Sequence, residues 1–121
     1  MQYLLMLFAD EQAGSSMPKE AMAAAMGEMY AYVQALQKAG AFVATHALDL
    51  TSNAATVRND NGSLVVQDGP YAETREQFGG YFIIEADDMD AALKWAARCP
   101  AASWGTIEVR RIRNPSEFPS G

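Results

Sequence analysis

The stretch that decides the fold is Gln2-Tyr3-Leu4-Leu5-Met6-Leu7-Phe8-Ala9, an almost unbroken apolar run of strand length. Leu4, Met6 and Phe8 alternate with Tyr3, Leu5 and Leu7, so a strand here presents apolar side chains on both faces. A layer of helices covers only one face, and the other also needs shelter. Asp10 and Glu11 follow at once. The run is too short to span a bilayer, and it lacks the basic start of a secretory signal.

The rest of the chain alternates in kind. Ser16 can cap and Pro18 suits a first turn, so a helix is expected over Lys19 to Ala39, with Gly40 as its left-handed stop. Met22, Met26, Met29, Tyr30, Val33 and Leu36 recur at three- and four-residue steps and form its expected inward stripe. Ala41 to Leu48 reads as a second strand. Ala54 to Arg58 and Ser63 to Gln67 flank Asn59-Asp60-Asn61-Gly62, a hairpin signal. The polar stretch from Asp68 to Gln77 is expected to form an ordered loop or a single helical turn, with Gly69 held extended by Pro70.

Gly79-Gly80 then opens a strand through Tyr81 to Glu85. Asp87 or Asp88 caps a helix ending near Arg98, with Met89, Ala92, Leu93 and Ala96 inward, and Trp104 to Ile112 forms the last strand. Without the hairpin, the order is strand, helix, strand, strand, helix, strand. Right-handed crossovers place both helices on one face of a mostly antiparallel sheet, so the fold class is α+β, a ferredoxin-like plait (βαββαβ) with an inserted β-hairpin. A second copy covering the other face is the expected partner, giving a homodimer. Residues 1–113 form the domain and residues 114–121 a C-terminal tail.

The chain of 121 residues is half apolar, enough for one core. Fifteen acidic residues against nine basic give a formal net charge of −6. That balance argues against nucleic acid and against an anionic membrane surface. Cys99 is the sole cysteine, which suits a reducing cytoplasm. Its place at a helix C-terminus disfavours a thiolate. No P-loop, dinucleotide fingerprint or nucleophile elbow is present, and the lone His and lone Cys lie far apart, so neither a cofactor nor a metal is expected.

Asp68, before Gly-Pro at a strand end, either bonds backbone N–H groups in an Asx turn or serves as a general base beside a half-apolar pocket. His46 is the only imidazole and the natural partner for proton transfer; the alternative is a structural histidine on a strand. Arg58 can hold a ligand carboxylate, or pair with Asp68 or Glu73. Tyr71 can offer its hydroxyl from the loop or pack over the sheet. Arg75 and Glu76 read as solvated loop residues. The candidate site is thus Asp68 and His46 as the catalytic pair, with Arg58, Tyr71 and Glu73 on the ligand.

Thr56-Val57-Arg58, followed by Asp68-Gly69-Pro70-Tyr71-Ala72-Glu73-Thr74-Arg75-Glu76-Gln77-Phe78-Gly79-Gly80-Tyr81, resembles the signature of the YCII-related, or DGPF-domain, family. The Tyr-Leu-Leu-Met start and Ala91 to Ala96 extend the likeness from Gln2 to about Ile112. Tyr71 stands where the family signature has phenylalanine. The resemblance implies a ferredoxin-like fold paired into a dimeric α+β barrel. Many members of the family it resembles are uncharacterised bacterial proteins, some encoded beside or fused to extracytoplasmic-function sigma factors, and wider relatives include aromatic-ring degradation enzymes.

In one branch of that family, a His and Asp pair with the His in the first long helix has been proposed as an active site. Here that helix has no His, so comparable chemistry would fall to Asp68 and His46. Three readings follow. The first is a cofactor-free enzyme acting on a small aromatic or carbonyl metabolite by isomerisation, elimination or hydrolysis. The second is a ligand-sensing or partner-binding module with a sigma-factor partner. The third is a dimeric domain whose site has decayed.

Overall fold

The computed structural model describes residues 1–119; the last two residues of the expected tail, Ser120 and Gly121, lie outside the described residues. Strand β1 (Gln2–Ala9) is followed by a short helix α1 (Glu11–Ser15) and the long helix α2 (Lys19–Lys38). Then come β2 (Phe42–Ala47), the hairpin of β3 (Ala55–Asp60) and β4 (Ser63–Asp68), β5 (Gln77–Glu85), α3 (Met89–Arg98) and β6 (Gly105–Arg111). Four strands form one antiparallel sheet in the order β2-β5-β1-β6, while β3 and β4 pair only with each other. The architecture is α+β, compatible with a ferredoxin-like fold. Among the described residues, no helix is long and apolar enough to cross a membrane.

The two-faced first strand behaves as its alternation requires. Tyr3 and Leu5 are buried under the helices, opposite Ile84 and Phe82 of β5, and Leu7 packs at the edge of the same core. Leu4, Met6 and Phe8 are half-buried and lie in the opposite row with Ile83 and Tyr81. On β6, Ile107 and Val109 join the core, while Glu108 and Arg110 occupy the open face and pair at 3.3 Å. Leu5, Leu36 and Ile84 are fully enclosed, and each such aliphatic side chain contributes about 1.5–3 kcal/mol.

The helices differ from expectation in their ends and in their rotation. Asp10 caps α1, accepting from the N–H groups of Gln12 and Ala13, and Ser16 closes that helix. Pro18 precedes α2 with no side-chain cap. The far end of α2 is a Schellman stop: Ala41 N–H donates to Leu36, Gly40 N–H to Gln37, and Gly40 has φ +71°.

The core face of α2 carries Met29, Tyr32, Val33 and Leu36, whereas Met22, Met26 and Tyr30 face solvent. Half of the expected stripe, Met29, Val33 and Leu36, thus faces the core and the other half does not. The helix settles on the aromatic Tyr32, which is buried and meets Phe82 edge-on at 5.3 Å. In α3, capped by Asp88, Ala92 and Ala96 are buried while Met89 and Leu93 are exposed. Small residues bring this helix close to the sheet.

The hairpin turns on Asn61 and Gly62, both with positive φ, as a two-residue loop matched to strand twist demands. Gly69 is not extended as expected but has φ +96°. Its N–H donates to Ala54 and its carbonyl accepts from the Thr56 hydroxyl at 2.8 Å, which closes the base of the hairpin. Among the described residues, no other strand or helix makes an extensive contact with the hairpin. Residues 69–76 contain no helical turn.

Candidate functional site

Strands β1 and β2 end, and β5 and β6 begin, at the same end of the sheet. The connections from β1 to α2 and from β2 to β5 therefore emerge side by side. Between them lies a cleft of about 1020 Å³. Its floor includes Phe8 and Phe78, which face one another in register with ring centroids 5.5 Å apart and planes tilted by 38°. Leu48, Leu50 and Pro70 add apolar wall.

Hydrogen bonds tie the rim to the sheet. Glu11 clamps the turn at Thr51, accepting from its N–H at 2.9 Å and from its hydroxyl at 2.7 Å. Gln77 accepts from Glu11 N–H at 2.9 Å and donates to the Thr74 carbonyl at 2.7 Å. The Thr74 hydroxyl donates to the Glu76 carbonyl, and the Glu76 carboxylate accepts from the Thr106 hydroxyl at 2.7 Å. Asp49 accepts from Leu50 N–H and from the Asn53 amide. These bonds span three connections and fix the cleft's shape more firmly than loop sequence alone would.

Of the residues expected to form the site, Glu73 lines this cleft. Asp68 is the last residue of β4, opposite Ala55; it is exposed, and the next two residues, Gly69 and Pro70, form part of the wall. Among the described residues its carboxylate accepts no backbone N–H, so the local turn is made by Gly69 and Thr56. His46 lies on β2 opposite Tyr81, ring centroids 5.6 Å apart, two residues before Leu48 in the wall. Arg58 is out on the hairpin opposite Val65, and Tyr71 is 87% exposed. Asp68, His46, Arg58 and Tyr71 thus do not line the cleft of a single chain.

Sequence reasoning passed over Arg75, which lines the cleft, and the Phe8–Phe78 floor. Phe8 reads as one more apolar residue of the Gln2–Ala9 run, and Phe78 falls between the polar loop and the Gly79-Gly80 strand opening, in no expected element. Only the antiparallel register of β1 and β5 shows that they meet. Among the described residues, no three His, Cys, Asp or Glu side chains gather as metal ligands.

This arrangement, an antiparallel sheet backed by helices with a cleft at the strand ends, defines a small α+β domain. Residues 1–116 match the YCII-related domain, and the chain belongs to that family. It is 35% identical to an uncharacterised protein of Rhizobium meliloti (strain 1021) over 124 residues, covering 99% of this chain and all of the relative. Among solved structures it is similar to 5-chloro-2-hydroxyhydroquinone dehydrochlorinase from Burkholderia phenoliruptrix AC1100, solved in complex with 2,5-dihydroxybenzoquinone. The TM-score is 0.52 at 14% identity, covering 98% of this chain and all of that one. A likeness at that identity concerns the fold.

Proposed function

We propose that the protein is a cofactor-free enzyme that acts on a small aromatic or carbonyl-bearing metabolite by acid–base chemistry in the cleft at the strand ends. The observation that carries this reading is the cleft itself: an aromatic floor of Phe8 and Phe78 under a rim of charged side chains, with ample room for a small ring. A structural neighbour that takes a dihydroxybenzoquinone lends support, since the two chains share a fold over nearly their full lengths.

In this proposal the sheet is a ferredoxin-like plait that works as a cytoplasmic homodimer, open face to open face. Two features support the pairing. Leu4, Met6, Tyr81 and Ile83 form an apolar row away from the helices, and the hairpin carries Val57, Leu64 and Val66 at 63%, 69% and 59% exposure. An isolated hairpin is marginally stable at best, so apolar side chains on one call for a cover. A second copy set against this face brings the partner's hairpin to the cleft, and with it Arg58 and Tyr71. Asp68 then moves the proton, His46 complements it, and Glu73 orients the ligand.

The test is a screen of small hydroxylated aromatics for turnover, followed by Asp68→Asn and His46→Gln. Loss of turnover by about 100-fold or more in Asp68→Asn is the expected result for a general base. Unchanged turnover removes Asp68 from the mechanism. Absence of turnover on every aromatic tested, with no binding in the cleft, removes the enzyme reading.

A further inference from the structure

The cleft contains four carboxylates, those of Asp10, Glu11, Asp49 and Glu73, and one cation, Arg75. Three of the carboxylates already have donors: Asp10 accepts from α1 backbone N–H groups, Glu11 from Thr51, and Asp49 from Leu50 and Asn53. Arg75 is in the opposite condition. Among the described residues it forms no ion pair and its guanidinium donates no hydrogen bond. Its neighbours Thr74, Glu76 and Gln77 are all bonded, so the backbone that carries Arg75 is anchored while its five N–H donors are free.

Resting on the reading of the cleft as an aromatic-ligand site, we propose that its ligand is an aromatic monoanion, with the ring on Phe8 and Phe78 and a carboxylate on the Arg75 guanidinium. A planar fork matches a carboxylate in two parallel hydrogen bonds, a geometry lysine cannot reproduce. The surrounding acids set the upper limit on charge. One delocalised negative charge placed directly on Arg75 is tolerated, whereas a phosphate or dicarboxylate brings its second charge against Glu73 and its neighbours. The ligand is therefore a benzoate-like acid, one charge and one ring.

Binding of benzoate, phenol and benzylamine to the full-length protein, followed by NMR titration at neutral pH and low salt, separates the alternatives. The expected order is benzoate tightest. Arg75→Gln weakens benzoate at least tenfold and leaves phenol within about twofold, Arg75→Lys falls between, and added salt weakens benzoate alone. Arg75 is exposed and has no partner to orphan, so both variants keep the fold. Benzoate no tighter than phenol, benzylamine tightest, or benzoate indifferent to Arg75→Gln each overturns the anion assignment while leaving the aromatic cleft in place. If none of the three binds, or if Phe8→Ala leaves phenol unaffected, the cleft reading fails and the assignment falls with it.

Discussion

The Tyr32 hydroxyl donates to the carbonyl oxygen of Trp95 at 2.7 Å, joining α2 to the last turn of α3. Trp95 is among the last four residues of α3, whose carbonyls have no partner within their own helix. Tyr32 is only 5% exposed, so this bond satisfies a group that water reaches poorly. Replacing Tyr32 by Phe keeps the ring and its edge-on contact with Phe82 but removes the donor. The expected cost is about 1–3 kcal/mol in urea unfolding, with an unchanged m-value. An unchanged midpoint would mean that water replaces the hydroxyl.

Burial also makes the same region sensitive to alkali. Desolvation raises the Tyr32 phenol above its ordinary range, with the Cys99 charge adding to it and Arg98 opposing it. Desolvation likewise raises the Cys99 thiol, against an opposing backbone hydrogen bond from Ala101. Both groups keep their protons in the folded chain at pH values where the unfolded chain releases them. Their contribution is complete below the unfolded value of the thiol, roughly pH 8.5, and is lost as pH rises through the raised folded values. Thermal midpoints should fall from pH 8 to 11, less steeply in Tyr32→Phe. A flat profile in the wild type contradicts the burial argument.

The first strand, the hairpin and the end of the long helix followed from residues whose pattern admits one answer, the doubly apolar Gln2–Ala9 run, the Asn61-Gly62 turn and the Gly40 stop, whereas the short helix Glu11–Ser15 did not. Helix rotation was less legible. Of the expected stripe, Met29, Val33 and Leu36 reach the core while Met22, Met26 and Tyr30 do not, and Tyr32, which the stripe left out, is buried against Phe82. The candidate site was harder still, because Phe8 and Glu11, Thr51, and Arg75 belong to three distant stretches of sequence and meet only through the sheet's register and the Glu11–Thr51 clamp. Glu73 is the one expected site residue that local polarity alone placed on the cleft.

Gly105 opens β6 opposite Ala9, and a Cβ there would overlap the Phe8 carbonyl oxygen. The obstacle is backbone of the central strand, which cannot move aside without disturbing the cleft floor. Gly105→Ala is expected to destabilise the chain by about 3 kcal/mol or more, or to prevent folding. Gly14→Ala is the control: nothing lies within 4 Å of its Cβ, and helical alanine is favoured over glycine. Equal midpoints for the two variants in urea unfolding would show that β1 yields.

The proposed pairing of open faces is testable on a residue that costs a lone chain nothing. Leu64 is 69% exposed on the hairpin, so Leu64→Asp removes no intramolecular packing. If the hairpin and the open sheet face meet in a second copy, an aspartate there places an unpaired charge in an apolar interface. The penalty is of the order of several kcal/mol per buried charge, enough to dissociate a micromolar dimer. Size-exclusion chromatography with light scattering should give twice the chain mass for the wild type and the single mass for Leu64→Asp, with unchanged circular dichroism. A companion change on the sheet, Met6→Glu, should act in the same direction, because Met6 lies in the apolar row opposite Tyr81. A wild-type chain that elutes as a monomer at all concentrations would leave the row and the hairpin without a shared cover, and with it the route by which Arg58 and Tyr71 reach the cleft.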